Sequence, residues 1–230
     1  MWETWHEKIT KPFYKTPEDL GHAYSNIIKN EILRLKDRVS IIQIDEPMIG
    51  NLLEADKSPD RYRRIFEIIN GQKYRGVKEE LNLAKELINE SVSGTGAEIG
   101  MHICHWPNKK SPFYGGLERF LPDLFEINVN QFVVEYSADG SGNPIEFVKD
   151  YPEHLKIGFG VINVINDIVE SPKQIVERVK PITDYIGPER IWLNPDCGFA
   201  PGMRRPYSIN VIKEKLKSMV EAAHILRDMY

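Results

Sequence analysis

In the stretch MHICHWP, residues 101–107, a histidine, a cysteine and a second histidine fall within four positions of a chain that has two cysteines in all. Side chains alternate between the two faces of a strand, so His102 and Cys104 share a face while Ile103 packs on the other. An imidazole and a thiolate so placed can reach one ion. The second cysteine lies in the run Asn194-Pro195-Asp196-Cys197-Gly198, and Glu135 closes the apolar run Gln131-Phe132-Val133-Val134. One histidine, two cysteines and one glutamate form a four-ligand set that zinc accepts, and thiolate with imidazole favours zinc over magnesium or calcium. Each member also has an ordinary reading. A cysteine is often a small buried apolar residue, and Glu135 is also the first solvated position after an apolar strand. Asp45-Glu46-Pro47 reads as a strand-to-loop boundary too, since proline ends a hydrogen-bonded ladder. His105 is read as a loop residue rather than a ligand. His6, His22, His154 and His224 are read as surface residues, and Trp106, Tyr114 and Trp192 as packing.

These residues need a scaffold that gathers strand ends, and the rest of the chain supplies one. Short apolar runs at Ser40–Ile44, Glu98–Cys104, Gln131–Glu135, Leu155–Ile162 and Arg190–Asn194 read as five strands. Helical segments lie between them. Thr16-Pro17 with Asp19, Ser58-Pro59 and Ser171-Pro172 carry helix-start chemistry, and Gly76–Val92, Gly115–Phe125 and Ser208–Met229 are expected to be helical. Strands separated by long helical crossovers pair in parallel, which defines an α/β protein. A dinucleotide-binding sheet needs its glycine fingerprint after an early strand, whereas Gly94-Thr95-Gly96 precedes one. A (β/α) barrel of the TIM type is therefore expected. It is a partial one, with about five readable parallel strands where a closed barrel has eight. In such barrels chemistry collects at the C-terminal strand ends, where Asp45, His102, Cys104, Glu135 and Cys197 stand.

The bulk composition narrows the partners. The 230 residues suffice for one domain with a substantial core. Net charge is −4, with no basic block interleaved with aromatics, so a nucleic-acid surface is not expected. No apolar run reaches the roughly 18 residues of a membrane span. The start MWETWHEKITK lacks the apolar stretch of a signal peptide, so a cytoplasmic location is expected. In a reducing compartment two distant cysteines suit metal or thiol chemistry better than a disulfide.

Taken in order, IIQIDEP (41–47), MHIC (101–104), FVVEYS (132–137), GFGVINV (158–164) and WLNPDCGF (192–199) resemble the catalytic barrel of cobalamin-independent methionine synthase. SMVEAAHILR (218–227) resembles that family's final helix, so residues 1–230 are expected to form a single domain corresponding to the C-terminal part of that barrel. The resemblance implies a zinc ion held by His102, Cys104, Glu135 and Cys197. It implies that Asp45 holds the amino group of homocysteine, and that a methyl group moves to a zinc-bound thiolate to give methionine. The ligand set suits that chemistry: two thiolates and a carboxylate leave the site near −1, which keeps a bound sulfur electron-rich.

Two departures from the family pattern shape the expectation. Where the family has a G-V-x-D-x-H run whose histidine assists proton delivery to a folate leaving group, this chain reads GVINVIN, with Asn163 and Ile165 at the acid and histidine places. A corrinoid leaving group needs no proton, so a methyl-corrinoid protein joins folate and pterin as a donor. The family's first three strands have no counterpart here, so three arrangements are open: a second chain completes the barrel as a further partner, the site stays open, or the sequence is a shortened form of a longer chain. Two other functions fit the same residues: methylation of coenzyme M or another small thiol, and a non-catalytic zinc-binding subunit.

Overall fold

The structure, a computed structural model, describes Trp5 and residues 7–57, 60–61, 63–64, 67, 73–104, 116–138, 140–199 and 208–230. Five strands, β1 (Ile42–Asp45), β2 (Ile99–His102), β3 (Gln131–Val134), β4 (Lys156–Ile162) and β5 (Ile191–Pro195), form one sheet in chain order, every pair parallel. Such a sheet is a segment of a (β/α) barrel, as expected. Its outer strands β1 and β5 each have one neighbour among the described residues.

The pleat divides the sheet into an apolar and a polar face. Ile99 and Met101, Phe132 and Val134, and Ile157, Phe159 and Val161 point to the side covered by helices, where they join the principal hydrophobic core. The register places Gln43 beside Gly100, Asp45 beside His102, Gly100 beside Gln131, His102 beside Val133, and Val133 beside Gly158 on the opposite face. That face carries the chemistry. It is accessible at its margins: Gln43, Asp45 and Trp192 are exposed. Trp192, expected to pack, is 48% exposed because, among the described residues, β5 has no strand beyond it to cover the indole.

Local chemistry sets most helix starts. Thr16 caps the helix Pro17–Leu35 by accepting the Asp19 N–H at 3.1 Å, while the Asp19 carboxylate accepts the Thr16 N–H at 3.0 Å. Ser171 and Gln174 form the same reciprocal box at the helix Pro172–Ile186. The Ser58-Pro59 helix start lies outside the described residues. Asp45-Glu46-Pro47 does more than end a strand. A helix, Pro47–Lys57, starts directly at Pro47, and the Glu46 carboxylate accepts the Met48 N–H at 2.8 Å. The helix expected over 115–125 is instead two short 3₁₀ turns, Leu117–Phe120 and Asp123–Glu126. Pro122 lacks an N–H and disfavours helical backbone at Leu121, which separates the two.

Candidate metal centre

β2 ends at His102, and Cys104 follows two positions on; β3 ends one residue before Glu135, and β5 two residues before Cys197. Backbone bonds from Ile103 N–H to the Val133 carbonyl and from Asp196 N–H to the Ile162 carbonyl, both 3.0 Å, seat these extensions on the neighbouring strand ends. The ligand atoms of His102, Cys104, Glu135 and Cys197 then lie within 4.8 Å of one another. Cys104 Sγ is 3.5 Å from Glu135 Oε1 and 3.5 Å from Cys197 Sγ. The sulfur separation is far beyond a disulfide bond, and close to the roughly 3.3–3.8 Å edges of a tetrahedral zinc site with Zn–N near 2.0 Å and Zn–S near 2.3 Å.

His102 gives the most direct test of whether these residues fit a metal. Its ring is buried, and Nδ1 donates to the Val133 carbonyl at 3.0 Å. That bond orients the imidazole and leaves Nε2 to act as a ligand. Nε2 is buried without a hydrogen-bond partner among the described residues. A buried polar atom without a partner costs free energy, and a cation bound by the neighbouring thiolates removes that cost. Glu135 is also buried, and both cysteines are partly so.

The electrostatics run the same way. The hydrogen bond from the Cys104 thiol, together with the adjacent His102 imidazole, lowers the Cys197 pKa to about 5. Burial opposes protonation of His102, but its contacts with Cys197 and the Val133 carbonyl outweigh burial and raise its pKa above the ordinary value. Cys197 is therefore a thiolate near neutral pH, the form in which sulfur binds metal and attacks carbon.

Asp45 projects from the same face, one strand over from His102, and its carboxylate accepts a 2.9 Å hydrogen bond from Gln43 Nε2. Being exposed, it is open to a ligand. His105 lies outside the described residues, as do His6, Trp106 and Tyr114. His154 and His224 are exposed, as expected. His22 is partly exposed and pairs with Glu90 at 2.7 Å.

Residues 18–225 match the family model described as cobalamin-independent synthase, catalytic domain. The chain belongs to this synthase family. Among relatives of the cobalamin-independent synthase domain, methionine synthase of Thermococcus kodakarensis is 31% identical over 217 residues, covering 94% of this chain and 52% of that protein. Methionine synthase of Saccharolobus islandicus is 29% identical over 217 residues, covering 94% and 53%. This synthase-family chain thus spans about half the length of the curated relatives it matches. A B12-independent methionine synthase from Shewanella sp. W3-18-1, solved in complex with selenomethionine, superposes with a TM-score of 0.69 at 19% identity, over 94% of this chain and 57% of that one. A putative vitamin-B12-independent methionine synthase from Listeria monocytogenes gives 0.60 at 18% identity, over 95% and 57%. At these identities the likeness is one of fold.

Two features of this cobalamin-independent synthase domain bear on its chemistry. The loop after β4 presents no acid at the positions where the family pattern has one. Asn163 Oδ1 accepts the Ile165 N–H at 2.9 Å, and Ile165 is a partly buried hydrocarbon. Sequence reasoning also passed over Asp196, named only as a member of the run that holds Cys197. It is fully buried, and burial pushes its carboxyl up to about 6 against the hydrogen bonds it accepts from Ser137. Its one signal in the sequence is its place between proline and a candidate ligand.

Proposed function

We propose that this chain is the zinc-binding part of a methyltransferase that methylates a thiol, most naturally homocysteine to give methionine. The observation that carries the reading is the convergence of four ligand atoms within 4.8 Å on the polar face of the sheet, one of them a buried imidazole nitrogen with no hydrogen-bond partner. His102, Cys104, Glu135 and Cys197 would hold the ion. Zinc bound there would lower the pKa of an incoming thiol, while two thiolates and a carboxylate keep that sulfur electron-rich. Asp45, exposed beside His102, would take the substrate ammonium in a charge-assisted hydrogen bond. Family membership and the methionine synthases among the relatives support this substrate.

The transfer itself is an in-line displacement. A sulfur–carbon bond forms, the donor–methyl bond breaks, and its electron pair leaves with the donor. A folate or pterin nitrogen must then gain a proton, and neither Asn163 nor Ile165 can supply one. A cobalt leaving group keeps the pair without a proton. A methyl-corrinoid donor is therefore the reading that these residues favour. We further read the outer edges of β1 and β5, unpaired among the described residues, and the exposed Trp192 as a surface that a second polypeptide covers, completing the barrel around the site.

The test combines metal content with turnover of homocysteine, using methylcobalamin and methylated tetrahydropterin as alternative donors. About one zinc per chain and methionine formation from methylcobalamin are expected. Zinc-free protein in a zinc-replete preparation, or no methionine from either donor once the native assembly is reconstituted, would refute the reading.

A further inference from the structure

Asp196 lies outside the proposed ligand set but is bonded to both sides of it. Its Oδ1 accepts the N–H groups of Tyr136 at 3.1 Å and Ser137 at 3.0 Å, and its Oδ2 accepts the Ser137 hydroxyl at 2.5 Å. Its own N–H donates to the Ile162 carbonyl at the end of β4. One side chain thereby joins the segment that carries Cys197 to the segment that carries Glu135.

Sheet order makes this link necessary. β3 and β5 are not neighbours, because β4 runs between them, so no ladder hydrogen bond sets the spacing of Glu135 and Cys197. The carboxylate makes the connection across β4, and it does so over a glycine. A Cβ on Gly160 would overlap Asp196 Oδ1 and lie 2.6 Å from the Val134 carbonyl oxygen and 3.0 Å from Glu135 Cα. The glycine, the aspartate and the Ser137 donors form one fitted unit. Hydrogen bonds to an ionised acceptor are short and strong, and a carboxylate held by three donors and shut off from water has little freedom to move.

We propose that Asp196, with Ser137 as its partner, is a positioning residue that holds Cys197 and Glu135 at the separation the metal requires. This rests on the reading of His102, Cys104, Glu135 and Cys197 as zinc ligands. Outer-shell partners of this kind are worth roughly 10- to 100-fold in metal affinity. The plain alternative is a turn-stabilising aspartate that supports the fold and has no bearing on the ligands.

The experiment compares wild type with Ser137→Ala, Ser137→Thr, Asp196→Asn and Asp196→Ala. It measures zinc affinity by chelator competition, the absorption spectrum of the cobalt(II)-substituted protein, and unfolding of the metal-free protein. Ser137→Ala changes no charge, so its effect isolates positioning from Coulombic attraction. It is expected to weaken zinc binding by about tenfold, with a weakened tetrahedral cobalt band, and Ser137→Thr to restore both. Asp196→Ala is expected to lose about 100-fold. Should that variant not fold, Ser137→Ala and Asp196→Asn carry the test. Zinc affinity within twofold of wild type in both, or a loss that only follows the folded fraction, overturns the proposal while leaving the ligand set standing. A wild type that neither binds zinc nor shows a thiolate–cobalt band removes the ligand set itself, and the proposal with it.

Discussion

Replacing Gly160 with alanine adds one methyl group where the sheet has no room for it. The new Cβ would lie 2.6 Å from the Val134 carbonyl oxygen and 3.0 Å from Glu135 Cα, and would overlap Asp196 Oδ1. Carbon and oxygen rest no closer than about 3.3 Å, so one strand must move by roughly 0.7 Å against its neighbour. The obstacles are backbone atoms and a buried, triply bonded carboxylate rather than the tip of a flexible side chain. Overpacking of this kind costs about 1–3 kcal/mol. For a chain of this size that is a fall in Tm of about 2–12 °C, with the slope of denaturant unfolding unchanged. Because the displaced atoms belong to Glu135 and to Asp196, the residue before Cys197, zinc affinity should fall with it, by about tenfold or more. Two alanine substitutions serve as controls. Gly198, beside Cys197, has nothing within 4 Å of a built Cβ, and at Gly100 the nearest atom is the end of the Ile41 side chain at 3.4 Å. Urea unfolding and chelator competition on all three proteins decide the matter. A Gly160→Ala protein within 0.5 kcal/mol of wild type that also holds zinc normally would refute the close packing of β3, β4 and Asp196 on which the reasoning depends.

Other outcomes are expected from the same geometry. Cys197→Ser should lower zinc affinity by more than about 100-fold, beyond the loss from an outer-shell residue, and full zinc occupancy measured by metal analysis would exclude Cys197 as a ligand. Asp45→Asn should raise KM for homocysteine by about tenfold with little change in kcat, in keeping with one charge-assisted hydrogen bond at an exposed position; an unchanged KM counts against the ammonium site. Zinc loading should release protons, since the Cys104 thiol, which donates a hydrogen bond to Glu135, must lose its proton to bind; a pH-indicator titration that shows no release contradicts this. His22 tests pH-dependent stability. Its hydrogen bond to Glu90 raises its pKa, so the stabilisation is complete below the ordinary value near 6.5 and disappears as pH rises through the higher folded-state value. His22→Gln should therefore lower Tm more at pH 5.5 than at pH 8.5, by an amount equivalent to less than about 1 kcal/mol because the side chain is 41% exposed. Equal losses at the two pH values would show that the ion pair is not the cause.

Information carried by neighbouring residues was legible in the sequence. Thr16 with Asp19 and Ser171 with Gln174 are local capping chemistry, and they cap the helices they were expected to cap. The alternation that places His102 and Cys104 on one face follows from the pleat alone, and the clustering of polar residues at strand ends follows once those strands run parallel. The helix expected over 115–125 failed for a reason also present in the sequence, the break imposed by Pro122. The helix from Pro47 was equally available, since proline at a first helical position starts helices as readily as it ends strands.

Asp196 could not be read in this way. Its partners Tyr136 and Ser137 lie about sixty positions earlier, on the far side of β4, and the space its carboxylate fills exists because Gly160 has no side chain. The exposure of Trp192 likewise depends on β5 standing at the margin of the sheet, where strand order leaves the indole uncovered. The sequence by itself determined the candidate ligands, their soft, anionic character and the parallel α/β scaffold, because ligand chemistry and crossover length are properties of residues and short segments. Only the tertiary structure decided that the four ligand atoms meet within 4.8 Å and which buried carboxylate ties two of their segments together, because both depend on contacts between strands far apart along the chain.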